Sequence, residues 1–251
     1  MIKSKKLIKN KNIKHGFFNS VGGKSKNIYK SLNCGPGSKD IKSDVKKNLE
    51  LVRKKISKKA KSIFLIKQIH SNKFIYIDKK YNKNQKPEAD AIITNQKYFP
   101  IAVLTADCVP ILIYNKKNMI AAIHAGWKGA YKNILDRVIK FMVKKGCKLK
   151  NFTAVIGPSI SVKNYEVKED FKKKFIKKDK KNLKYFNMVK NKLYFDLTKY
   201  VHTLLVKSKI KNIETINIDT FDKKNKFFSA RRALKLKHND YGRNISIIMI
   251  K

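Results

Sequence analysis

The chain has 251 residues, enough to bury one large core, and no Pro/Gly/Ser-rich linker divides it, so a single domain over 1–251 is expected. Its formal charge of +44 sets 61 basic against 17 acidic residues, but only five of the basic residues are arginines, and the lysines are spread over loops and helix faces. That dispersion argues against a selected nucleic-acid surface, which would favour the forked guanidinium, and no apolar run is long enough to span a membrane. The basic N-terminus MIKSKKLIKNKNIKHGFF lacks the apolar stretch of a signal peptide, and the three cysteines are odd in number and far apart. A reduced, cytoplasmic protein without a disulfide framework is expected.

Gly16, Gly22 and Gly23, then Asn33, Gly35, Pro36 and Gly37, make the first forty residues loop-rich with short strands. From Asp44 as N-cap, Val45, Leu49, Val52 and Ile56 recur on one helical face. SIFLIKQIH, KFIYID and DAIIT follow as β-rich runs, the first two ending near His70 and Asp78. Residues 101–129, IAVLTADCVPILIYNKKNMIAAIHAGWKG, then hold two runs apolar enough to be buried strands, 111–114 and 119–123, separated by Asn-Lys-Lys-Asn. These read as a hairpin that folds Cys108 back beside His124. An odd-length loop sets the two opposite each other on one face, and an even-length loop sends them to opposite faces. Pro110 has no ladder donor, so the strand is expected to bulge or end just after Cys108.

A helix from about Ala130 carries Ile134, Leu135, Val138, Ile139, Met142 and Val143 at helical spacing, with Gly146 as C-cap. TAVIGPSI at 153–160 is a strand entering a Gly-Pro turn, and the Lys-rich segment 166–178 reads as a solvated helix. LYFDL, a helix near 199–209, IETINIDT, FFSARRA and NISIIMI complete the chain as strands and one helix. The expected class is α+β, with mixed sheets covered by helices.

His70, Cys108 and His124 are the first chemical constellation. Two imidazoles and a thiolate suit Zn²⁺ or Cu²⁺, and three protein ligands with a fourth position left for water or substrate is the arrangement of a catalytic zinc. A metal-free reading of the same residues makes Cys108 a nucleophile and His124 its base, with Asp107 either orienting the base or capping a turn before Pro110. Gly126, Lys128 and Gly129 precede a helix, so they form either an anion site or a tight strand-to-helix turn. Trp127, the only tryptophan, either walls a pocket or anchors that helix. In a chain that otherwise uses lysine, the clustered Arg231, Arg232 and Arg243 mark places where a planar guanidinium is required.

QIH at 68–70, LTADCVP at 104–110, HAGWKG at 124–129, IGPSI at 156–160 and FFSARR at 227–232 resemble, in order, the motifs of the YfiH/laccase-domain family. This family is also called the polyphenol oxidase or peptidoglycan editing factor family. The resemblance runs from HGFF to GRNISIIMI, essentially the whole chain. It implies one α/β/β/α-layered domain with zinc or copper held by His70, Cys108 and His124. It also implies phosphorolysis of adenosine, inosine and methylthioadenosine, together with hydrolytic deamination of adenosine. The partners are then a purine nucleoside and phosphate, with the chain a monomer or homodimer.

On this resemblance Asp107 is a proton carrier, and Gln68 of the QIH motif joins Gly126, Lys128 and Gly129 in holding substrate or phosphate. Arg231 binds an anionic group, because Arg232 points to the opposite face if FFSARRA is a strand. Two departures stand out: Ser20 where family members commonly carry an arginine before the Gly-Gly, and Asp219 where many carry a cysteine. The first weakens anion binding, with Lys24 available to compensate. The competing readings are a cytoplasmic amidase-like editor of peptidoglycan precursors, a phenol-oxidising copper enzyme for which three ligands are too few, and a non-enzymatic nucleic-acid binder resting on charge alone.

Overall fold

The computed structural model describes residues 1–81 and 87–251. The elements in order are β1 (Ile13–Phe17), α1 (Lys42–Ile56), β2 (Phe74–Ile77), β3 (Ala91–Thr94), β4 (Ile101–Thr105), β5 (Val109–Asn115), β6 (Met119–Ala125), α2 (Trp127–Tyr131) and α3 (Ile134–Lys144). There follow β7 (Phe152–Ile156), β8 (Glu166–Val167), α4 (Glu169–Lys178), β9 (Phe186–Val189), β10 (Lys192–Phe195), α5 (Leu197–Lys207), β11 (Asn212–Thr215), α6 (Ala230–Lys235) and β12 (Asn244–Ile250).

A six-stranded mixed sheet in the order β11-β7-β5-β6-β3-β2 forms the middle of the molecule. Residue parity along its strands sorts the core into layers. Val109, Ile111 and Ile113 of β5, with Ala121 and Ile123 of β6, pack with Leu135, Val138 and Met142 of α3 and Val201 and Leu205 of α5. The alternate residues Leu112, Tyr114, Ile120 and Ala122 face Ile101, Val103, Ile248 and Ile250 of a three-stranded sheet, β1-β12-β4. The far side of that sheet, through Ala102, Ile245 and Ile247, meets Val52 and Ile56 of α1. The result is four layers, α/β/β/α, as the motifs implied. Both sheets are covered on both faces, which is why their strands read as continuous apolar runs rather than alternating ones.

The hairpin is present. Its register pairs Asn115 with Met119 around a three-residue loop in which Asn118 takes φ 56°, a conformation asparagine tolerates well. Pro110, not Cys108, lies opposite His124, and the strand starts just after Cys108 instead of ending there. On the β7 side the Pro110 carbonyl accepts from Gly157 N at 2.8 Å, one step beyond the Ile111–Ile156 pair, and the N–H that Pro110 lacks leaves that bond unreciprocated at the strand end. SIFLIKQIH makes only single bridges, at Phe64 and Lys67, and is not a regular strand. The single helix expected from about Ala130 is two helices, α2, which already starts at Trp127 inside HAGWKG, and α3, broken where Asn133 turns left-handed at φ 61°. Gly146, at φ +87°, ends α3 as expected.

Two expectations fail for packing reasons. The 166–178 segment is not only a solvated surface. Phe171 and Phe175, one helical turn apart on α4, enter an aromatic cluster with Trp127, Phe195 and Tyr200, and Phe175 is fully buried. FFSARRA is not a strand either. The Ser229 hydroxyl accepts from Arg232 N at 3.1 Å and starts α6. In the loop-rich N-terminal region the order comes from Asn48 of α1. Its amide accepts from Lys24 N at 2.7 Å and donates to Ser25 Oγ and to the Asn33 carbonyl, both at 2.9 Å.

His15 on β1 is buried, with its Nε2 accepting from Ser4 N at 2.8 Å. Burial first, and then the Lys3 charge, lower its pKa from 6.5 to about 4 against an opposing pull from Glu214. Above pH 6.5 neither state of the chain holds the extra proton. Between pH 6.5 and 4 only the unfolded state does, so stability falls as pH falls through that window. His15→Gln is expected to flatten the fall by on the order of 1 kcal/mol per pH unit, read from urea midpoints at the two ends of the window.

Candidate metal centre

Three separate segments deliver the three candidate ligands. His70 ends the irregular run before β2, Cys108 sits in the link from β4 to β5, and His124 is the second-last residue of β6. Their ligand atoms all lie within 4.8 Å of one another, with Cys108 Sγ 3.9 Å from His70 Nε2. The two imidazoles meet edge to face with ring centroids 4.8 Å apart. His124 is buried, Cys108 is partly buried and His70 is exposed, so the group is anchored in the core and opens to solvent at one corner.

Whether these residues fit a metal can be judged from the donor set. Zn–N bonds of about 2.0 Å and a Zn–S bond of about 2.3 Å in a tetrahedron imply ligand separations of roughly 3.3–3.6 Å, which side-chain rotation reaches from the spacing here. The space is kept free by Gly126, where a Cβ would sit 2.9 Å from His70 Cδ2 and 3.1 Å from Cys108 Sγ. The residues fit zinc or copper.

Asp90, at the head of β3, was not singled out from the sequence. It is fully buried, and its Oδ1 lies 2.8 Å from His124 Nδ1. Burial works against its charge, yet the bonds from His124 and Ser71 hold its pKa below the ordinary carboxylate value. Burial alone would raise the Cys108 thiol, but His124 and His70 bring it down to about 6. Burial alone would lower His124, but Cys108 and Asp90 push it up to about 9. Cys108 and His124 therefore each favour the charged form of the other, with Asp90 supporting His124 from its far side.

The base-orienting position expected for Asp107 belongs to Asp90. The Asp107 carboxylate is buried and turned away, accepting from Thr220 Oγ1 at 2.7 Å, Ser229 Oγ at 2.9 Å and Arg231 N at 2.6 Å. With its oxygens taken, it ties α6 to the Cys108 loop and is poorly disposed to carry a proton. Gln68 bonds Leu104 twice, donating to its carbonyl and accepting from its N–H, both at 2.8 Å, so it ties the His70 segment to β4 and has no end free for substrate. Gly129 packs against the chain, a Cβ there meeting the Ser71 carbonyl oxygen at 2.7 Å, and α2 has only five residues. Only Gly126 precedes the helix, as its N-cap, while Lys128 and Gly129 lie inside α2, so the contacts give Gly126 and Gly129 a packing cause and the segment is not the turn that was expected. Lys128 is exposed, with its Nζ 5.7 Å from the centre of the Trp127 ring.

The two arginines of FFSARR diverge. Arg232 donates to the carbonyls of Thr220, Phe221 and Phe227 and is structural. The Arg231 guanidinium donates one bond, to the Glu166 carbonyl at 2.8 Å, and lies 5.4 Å from the Tyr165 ring centre. Arg231 N reaches the carboxylate of Asp107, the chain neighbour of Cys108, which sets Arg231 and the Tyr165 ring beside it on the side of the Cys108 loop. Asp219 accepts from Ser161 N and Oγ, Asn164 Nδ2 and Phe221 N, and so holds the loop leading to Tyr165. Ser20 N and Oγ both donate to the Lys226 carbonyl.

The family model described as "Multi-copper polyphenol oxidoreductase laccase" matches residues 14–251. The chain belongs to this YfiH/laccase-domain family. Within the family, it is 37% identical to a purine nucleoside phosphorylase of Rickettsia prowazekii over 77% of this chain and 80% of the relative. It is 32% identical to a purine nucleoside phosphorylase of Bacteroides thetaiotaomicron over 95% and 92%. Among solved structures, the hypothetical protein YfiH of Bacillus licheniformis superimposes with a TM-score of 0.86 at 26% identity, covering 95% of this chain and 93% of that one. Among the described residues no helix is long and apolar enough to cross a membrane.

Proposed function

We propose that this chain is a metal-dependent purine nucleoside phosphorylase that also deaminates adenosine, with its reaction centre at His70, Cys108 and His124. The observation that carries this reading is the ligand triangle, closed within 4.8 Å and kept open by Gly126, in a chain whose relatives are named purine nucleoside phosphorylases. A zinc or copper ion held there would supply Lewis acidity beside the bound nucleoside. The protein's own groups would bind and orient. Arg231, with one N–H spent on Glu166, keeps donors for phosphate oxygens. Tyr165 and Trp127, joined through Phe171 at centroid distances of 6.4 and 5.1 Å, form an aromatic wall that suits a purine face. In phosphorolysis a phosphate oxygen bonds to the ribose C1′ as the bond to the purine nitrogen breaks. In deamination water replaces the adenine amino group and ammonia leaves.

Metal-replete protein given adenosine is expected to release adenine only when phosphate is present, and inosine with or without it, as resolved by chromatography. Inosine alone would restrict the reading to deamination. No turnover of either kind would overturn it. A second reading is favoured by one observation, the Cys108 thiol beside His124 with Asp90 2.8 Å from His124 Nδ1, which is the layout of a cysteine hydrolase acting on an amide such as a peptidoglycan precursor. The two are separated by a chelator, which should extinguish the phosphorylase and leave a thiol hydrolase active.

A further inference from the structure

Asp90 touches both histidines of the centre. Its Oδ1 accepts from His70 N at 2.9 Å and lies 2.8 Å from His124 Nδ1. Its Oδ2 accepts from Ser71 N at 2.5 Å and Ser71 Oγ at 2.7 Å. The Asp90 carbonyl accepts from His124 N at 2.7 Å, and Asp90 N donates to the Lys73 carbonyl at 2.9 Å. His70 stands at φ 56°, a left-handed conformation disfavoured for a residue with a Cβ unless its surroundings hold it. The two N–H groups that follow from that turn, those of His70 and Ser71, both point at this carboxylate.

We propose that Asp90 is the positioning residue of the centre: one buried carboxylate fixes the backbone turn that carries His70 and the ring orientation of His124, so that both Nε2 atoms face Cys108 before any ion arrives. The inference rests on the reading of the trio as a metal centre. Its physical basis is that all four groups around the carboxylate donate. An oxygen that binds the His124 Nδ1 proton leaves the Nε2 lone pair free for ligation, and the other contacts fix where His70 stands. Asparagine has one acceptor and one donor in the same volume. Its NH₂ must face either His124 Nδ1, displacing the proton to Nε2 where it blocks ligation, or the N–H of Ser71, which then loses its partner.

The test uses full-length wild type, Asp90→Asn and Ser71→Ala, stripped of metal. Zinc affinity is read by competition with a chromophoric chelator, and the site is read from the absorption of the cobalt(II) form, with circular dichroism and thermal midpoints of the metal-free proteins as controls. Asp90→Asn should bind zinc about 10- to 100-fold more weakly and show an altered thiolate-to-cobalt band, the range typical for losing an outer-shell partner of a metal-bound histidine. Ser71→Ala, which removes a single donor, should lose less than tenfold and keep the band. A purely structural carboxylate would lower the midpoint while leaving affinity and spectrum as in wild type, and that result overturns the proposal. Should Asp90→Asn fail to fold, Ser71→Ala decides: unchanged zinc affinity overturns the proposal, and a measurable loss sustains it. Wild type that takes up neither ion overturns the metal reading itself and this inference with it. Retention in wild type with no loss in either variant removes only the role of Asp90.

Discussion

His124→Ala should lower the rate of phosphate-dependent adenine release by on the order of 10³-fold or more, because the Lewis-acid term it removes is worth several kcal/mol and each 1.36 kcal/mol is a decade in rate. The residue joins the two halves of the site. It supplies one of three candidate ligand atoms within 4.8 Å, and it stands between the Asp90 carboxylate and the Cys108 side chain. The change should leave the fold intact. Asp90 keeps the His70 N, Ser71 N and Ser71 Oγ donors, so no bare carboxylate is stranded in the core. The measurement is kcat/KM for adenosine at saturating phosphate, paired with bound zinc per chain and far-UV circular dichroism. A folded His124→Ala variant within tenfold of wild type would place the reaction centre elsewhere.

Asp107→Ala is expected to have the largest effect on stability, about 3–5 kcal/mol. The carboxylate is 8% exposed, and removing it strands the Thr220 and Ser229 hydroxyls and the Arg231 N–H, and takes from Arg232 one of its nearby counter-charges, leaving Asp219 and Asp222. Burial pushes the Asp107 pKa up, and those same donors oppose it, so the cost of burying the carboxylate is offset only while all three remain. Asp107→Asn, which keeps one acceptor, should be milder. Urea midpoints of the metal-free proteins measure both. If Asp107→Ala unfolds at the wild-type midpoint yet loses turnover, the proton-carrier role regains its standing over the structural one.

The parts of the centre differ in how far they could be read beforehand. His70, Cys108 and His124 were legible because a thiol and imidazoles inside apolar runs are conspicuous and fall in recognisable motifs. Asp90 was missed although ADAIIT offered a signal: an acidic residue at the head of a fully apolar strand has to be paired with something. Asp107 and Gln68 were given chemical roles because they stand beside ligands in sequence. Their side chains in fact bond backbone and hydroxyl groups brought in from distant segments. FFSARRA looked like a strand from its apolar lead, and the capping hydroxyl of Ser229 made it a helix.

The sequence by itself determined which segments are buried. Continuous apolar runs marked β5 and β6 as strands covered on both faces, helical spacing gave the inner faces of α1 and α3, and the resemblance of the motifs supplied the α/β/β/α order of the layers. It also singled out His70, Cys108 and His124 as the candidate ligands. Tertiary structure alone decided their mutual distance, the carboxylate that orients them and the side on which Arg231 and Tyr165 lie. Each of these depends on contacts between segments separated by tens of residues, from Asp90 and His124 to Asp107 and Ser229. Local periodicity reports only which way a side chain faces, and says nothing of what another strand will place opposite it.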